Sequence, residues 1–80
     1  MTDREELATR RLDVRGLRCP MPVLRAEAAL RRLSPGDMIE VLADDPIAAV
    51  DIPHFCSEAG HAVERLADEG DCCVFQVTRG

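Results

Sequence analysis

The chain is 80 residues and 8.8 kDa, 46% hydrophobic and 31% charged, with a formal net charge of −5. That balance describes one small folded domain with a thin core, and its acidity argues against general nucleic-acid binding, which needs a strongly basic face. All 10 basic residues are Arg, Trp and Tyr are missing, and Ser34 and Ser57 lie outside any G-x-S-x-G turn, so Schiff-base and esterase-elbow chemistries drop out and Cys19, Cys56, Cys72 and Cys73 remain as nucleophiles.

The segment MTDREELATRR is heavily charged and lacks the apolar stretch of an export signal. With no run near the roughly 18 apolar residues that span a bilayer, the expectation is a cytoplasmic protein with no membrane association and with reduced cysteines. Residues 1–80 are expected to form a single domain, with 1–8 as a flexible arm. From Arg10 to Val14 charged and apolar residues alternate, which predicts a strand. Gly16-Leu17-Arg18 turns the chain. From Cys19 to Leu33 the period becomes helical, with Val23, Ala26, Leu30 and Leu33 on one stripe and Arg25, Arg31 and Arg32 facing out. Ser34-Pro35-Gly36-Asp37 stops that helix.

Met38 to Ala43 reads as a second strand with Ile39, Val41 and Ala43 on its core face. Asp44-Asp45-Pro46 has the form of an Asp cap followed by Pro at the first helical position. A helix over Ile47 to Ala59 follows, with Pro53 expected to interrupt it and Gly60 as its terminating glycine. Ala62 to Asp68 is a weaker strand. After the turn at Glu69-Gly70-Asp71, Cys72 to Arg79 forms the last strand, pairing with its predecessor as an antiparallel hairpin. Cys73 would face the core and Cys72 the opposite, exposed side. Cys56, beside Phe55, reads as core. The order β-α-β-α-β-β, with a right-handed first crossover, gives an α/β two-layer sandwich: a mixed four-stranded sheet with both helices on one face.

The chemistry is expected where the first strand becomes the first helix, at Arg18-Cys19-Pro20-Met21-Pro22. With Pro20 as the first helical residue, Cys19 would be the N-cap and the Met21 N–H would face its sulfur. The helix dipole, about half a positive charge, would then favour a thiolate. Charge is uneven along the chain: residues 1–33 carry eight Arg against five acids, residues 34–80 two Arg against ten acids. Arg15, Arg18 and Arg25 flank Cys19 and would reinforce the thiolate while steering acidic partners. No C-x-x-C pair exists, so neither a dithiol centre nor a zinc site is expected.

Leu12-Asp13-x-x-Gly16-Leu17-Arg18-Cys19-Pro20-x-Pro22, followed by Gly36-Asp37, Asp44-Asp45-Pro46, Asp51-Ile52-Pro53-x-Phe55-Cys56 and Gly60-His61, resembles the signature of the TusA/SirA-like sulfur carrier family from about Leu12 onward. The resemblance implies the same sandwich. It also implies that Cys19 accepts a sulfane sulfur from a donor protein such as a cysteine desulfurase or rhodanese and carries it, as a persulfide, to an acceptor protein. Gly16, Pro20, Met21 and Pro22 would position the cysteine, and Arg15, Arg18 and Arg25 would dock the partners. Family uses include tRNA thiolation, molybdenum-cofactor work and sulfur oxidation. No metal or organic cofactor and no direct nucleic-acid contact are implied. The alternative from another class is a regulatory interaction module in which Cys19 senses oxidants or is silent.

Overall fold

A computed structural model describes residues 10–80. The expected flexible arm at 1–8 lies outside the described residues. The elements are β1 (Arg11–Asp13), α1 (Met21–Arg31), β2 (Met38–Ala43), α2 (Ala48–Ala59), β3 (Ala62–Arg65) and β4 (Cys73–Thr78). The strands form one sheet in the order β1-β2-β4-β3. β1 lies parallel to β2 with Leu12 opposite Val41. β4 lies antiparallel to both β2, with Phe75 opposite Val41, and β3, with Val63 opposite Val77.

Strand alternation places Ile39, Val41 and Ala43 of β2 and Phe75 and Val77 of β4 on one face. Leu30 and Leu33 from α1 and its exit, and Ala48, Ile52 and Cys56 from α2, pack onto them in a single cluster. Both helices therefore cover the same face, as the crossover argument requires. The other face carries a polar row, Arg11, Glu40, Gln76 and Glu64, paired strand to strand. Beside that row lies a small apolar patch of Leu42, Cys72 and Val74 under Leu66.

Three local expectations are corrected. Helix α1 begins at Met21, not Pro20, because the Met21 N–H donates back to Arg18 O at 2.8 Å and Pro20 occupies the cap position outside the helix. Pro53 does not split α2: the helix runs unbroken to Ala59 and ends in a left-handed Gly60 with φ 84°. The stripe Ala48, Ile52 and Cys56, spaced by four residues, is wholly buried and holds the helix through the missing N–H. Cys72 does face away from the helices but is buried, 4% exposed. The chain after β3 folds back over it through the Leu66 N–H to Val74 O bond (2.8 Å) and the Glu69–Cys72 bridge. Among the described residues no helix is long and apolar enough to cross a membrane.

Ile52 has no exposed surface, so Ile52→Ala is expected to cost about 2–5 kcal/mol. Val50→Ala, on the same helix but at a position 69% exposed, is expected to stay within about 0.5 kcal/mol. Urea denaturation checks both. Burial also pushes the Cys56 thiol up to about 11, whereas an unfolded cysteine ionises at about 8.5. Its contribution to stability is complete below the unfolded value and is lost as pH rises through the folded one. The thermal midpoint is expected to fall across that alkaline window, and to fall less steeply in Cys56→Ala.

Candidate functional site

Because β1 and β2 are parallel, the chain leaves both at the same end of the sheet, and α1 and α2 start there. The β1–α1 loop crosses this end. Its first turn closes with the Leu17 N–H on Val14 O at 3.2 Å, and Gly16 sits in it at φ 84°, a left-handed conformation that glycine adopts without strain. The Gly16 N–H donates to Asp44 Oδ1 at 2.9 Å. The next tie is Asp45, 5% exposed and the one buried charged residue among those described. Its Oδ2 accepts the Cys19 N–H at 3.0 Å, and its Oδ1 accepts the Ile47 N–H at 3.2 Å. One carboxylate thus fastens the cysteine's backbone and the entry to α2 together.

The expectation that Asp44 and Asp45 serve as plain helix caps is half right. Asp45 does satisfy an N–H at the start of α2, but both residues also hold the loop that carries Cys19. Of the expected positioning residues, Pro22 is buried beneath the loop, Met21 is partly exposed on the first turn of α1, and the Cys19–Pro20 peptide is cis.

Cys19 is exposed and its sulfur donates to Asp51 Oδ2 at 3.3 Å. Asp51 projects from the first turn of α2, where its own N–H donates to Ile47 O at 2.8 Å. The Asp51 hydrogen bond, then desolvation, then the charges of Asp51 and Asp45 push the Cys19 thiol above the ordinary cysteine range. The expected low-pKa thiolate is therefore corrected: Cys19 rests as a thiol. The Met21 N–H is spent on Arg18 O, and Pro20 and Pro22 have none to offer, so little of the helix start reaches the sulfur.

The flanking arginines do not offset the carboxylates. Arg15 forms a two-pronged pair with Asp13 at 2.7 and 2.8 Å, holding that carboxyl down at about 2. Arg18 lies 3.5 Å from Asp44. Arg25 is exposed on α1, a turn beyond the loop. Sequence reasoning missed Asp51 as a sulfur contact, although it stood within the quoted pattern. It also missed an apolar rim. Of the five exposed large hydrophobic residues described, Met21, Leu24, Ile47 and Val50 sit at or near the starts of α1 and α2, the end of the sheet that the Cys19 loop crosses.

Asp45→Ala leaves the Cys19 and Ile47 amides without their acceptor. It is expected to cost about 1–3 kcal/mol and to speed hydrogen exchange at both amides relative to the sheet centre, measurable by nuclear magnetic resonance.

Comparison with known proteins finds that the family model described as sulfurtransferase TusA matches residues 10–79. A Neisseria meningitidis serogroup A protein named as a sulfur carrier is 48% identical over 52 residues, covering 65% of this chain and 70% of that one. YrkI of Bacillus subtilis, also named as a sulfur carrier, is 38% identical over 69 residues, covering 86% and 92%. The crystal structure of a SirA-like protein from Desulfitobacterium hafniense superposes with a TM-score of 0.78 at 28% identity, over 88% of this chain and 96% of that one.

Proposed function

The chain belongs to the sulfurtransferase TusA family, and on that footing we propose that it relays sulfur as a persulfide on Cys19 between a donor and an acceptor protein in the cytoplasm. The observation that carries this reading is the exposed Cys19 sulfur, held at a fixed corner by the bond from its backbone to buried Asp45. In the cycle, Cys19 sulfur attacks the outer sulfur of a donor persulfide, such as that of a cysteine desulfurase or rhodanese. A Cys19 persulfide forms, and an acceptor thiol then removes the outer sulfur. Every step exchanges one sulfur–sulfur bond for another, so no redox cofactor is required. The acceptor side feeds tRNA thiolation, molybdenum-cofactor assembly or sulfur oxidation.

An 80-residue sandwich has little interior for recognising a small molecule, so specificity lies in docking. Met21, Leu24, Ile47 and Val50 supply apolar contact at this end of the molecule. Exposed Arg25 supplies charge at its edge, with Arg15 and Arg18 docking a partner only as Asp13- and Asp44-paired donors. The oxidant-sensor alternative fits the site less well. Peroxide oxidation selects low-pKa thiolates, whereas the Asp51 contact raises the Cys19 thiol, and the family match over residues 10–79 favours a reaction with a docked sulfur donor.

Incubated with a cysteine desulfurase and cysteine, or with a rhodanese and thiosulfate, the protein is expected to gain one reducible sulfur atom by intact-mass spectrometry. Cys19→Ser should abolish the gain and Cys56→Ser should keep it. A gain that persists in Cys19→Ser rules out the proposed site.

A further inference from the structure

Sulfur loading poses a proton problem that the geometry of this site addresses. Cys19 rests as S–H, yet it must attack as a thiolate. The donor's inner sulfur leaves with an electron pair and needs a proton. Among the described residues, the titratable side chain in hydrogen-bond contact with the Cys19 sulfur is Asp51, at 3.3 Å. The other charged groups facing this point are accounted for. Asp45, from the β2–α2 loop, is occupied by two N–H groups, and Arg18, on the cysteine's own loop, is turned to Asp44. The first turn of α1, Met21 to Leu24, carries no charge. Both imidazoles lie further along: His54 is exposed on α2, and His61 stands beyond the C-terminus of that helix, against Phe55 and the Gly80 N–H.

We propose that Asp51 is a catalytic residue of loading, the base that takes the Cys19 proton during attack and passes it to the departing sulfur of the donor. This rests on the carrier reading above. The Cys19 sulfur forms a bond to the outer sulfur of a donor persulfide, R–S–SH, as the donor's S–S bond breaks. The bonding pair goes to the donor's inner sulfur. The proton moves from Cys19 to the Asp51 carboxylate and on to that inner sulfur, giving Cys19–S–SH and R–SH with Asp51 ionised again. No external oxidant or reductant enters. Unloading to an acceptor thiol runs the same shuttle in reverse, returning a proton to Cys19.

A purely structural role is the competing explanation, since an acid in the first turn of α2 also complements the helix dipole. That role needs no contact with sulfur, and the two explanations predict opposite results. The test compares wild type with Asp51→Asn in two reactions of Cys19. Iodoacetamide alkylation needs a thiolate, but its iodide leaves without a proton, so at neutral pH removing the carboxylate is expected to speed it severalfold. Loading from glutathione persulfide needs the shuttle and is expected to slow about tenfold or more.

The loading deficit is expected to shrink at alkaline pH, where the thiol ionises unaided. Asp51→Glu, which keeps a carboxylate, is expected to recover part of the neutral-pH rate and supplies the test if the Asn variant does not fold. Loading that rises in parallel with alkylation in Asp51→Asn overturns the shuttle and leaves the carrier reading intact. Wild-type protein that takes no sulfur at Cys19 from glutathione persulfide or from the protein donors overturns both.

Discussion

The site depends on one buried carboxylate. Asp45 accepts N–H groups from two segments far apart in sequence, Cys19 in the β1–α1 loop and Ile47 at the entry to α2. A charge this deep is tolerable because its partners are in place, and among the described residues no buried side-chain polar atom lacks one. With those two backbone points pinned to a single side chain, the distance between loop and helix is set. The Cys19–Asp51 contact follows from it, because Asp51 lies one helical turn beyond Ile47 and bonds to its carbonyl.

The electrostatics of the cysteine are a contest that the carboxylates win. A helix start brings about half a positive charge, diluted over its first turn, and here two prolines and a back-bonded Met21 remove most of the donors that would carry it to the sulfur. Against it stands a full negative charge in contact with the sulfur, with Asp45 behind it. The nearby arginines are exposed and spend their charge on Asp13 and Asp44, and such solvent-facing pairs project little field. A carrier that shields its thiol by protonation is less prone to stray oxidation and alkylation between partners. Reactivity then depends on moving a proton at the moment of exchange.

The architecture was legible because periodicity reports it directly. Alternation in Met38–Ala43 and Cys73–Thr78, and the four-residue spacing of Ala48, Ile52 and Cys56, fix which faces are buried. Cys19 stood out because composition left few other nucleophiles. What local pattern does not reveal is contact across the fold. Asp51 lies 32 residues from Cys19, and its position at the sulfur depends on the phase of α2 and on the Asp45 tie. For the same reason the arginines adjacent in sequence received too much weight as neighbours of the thiol. The burial of Cys72 was likewise hidden, since it rests on a loop folding over an otherwise polar sheet face.

The most direct test of this account is the ionisation of Cys19 in the wild-type protein, followed through its Cβ chemical shift as pH is raised. The account predicts a midpoint above that of a cysteine in an unstructured peptide, with a lower midpoint in Asp51→Asn. A Cys19 already ionised at neutral pH, or one whose titration ignores the loss of Asp51, would contradict it.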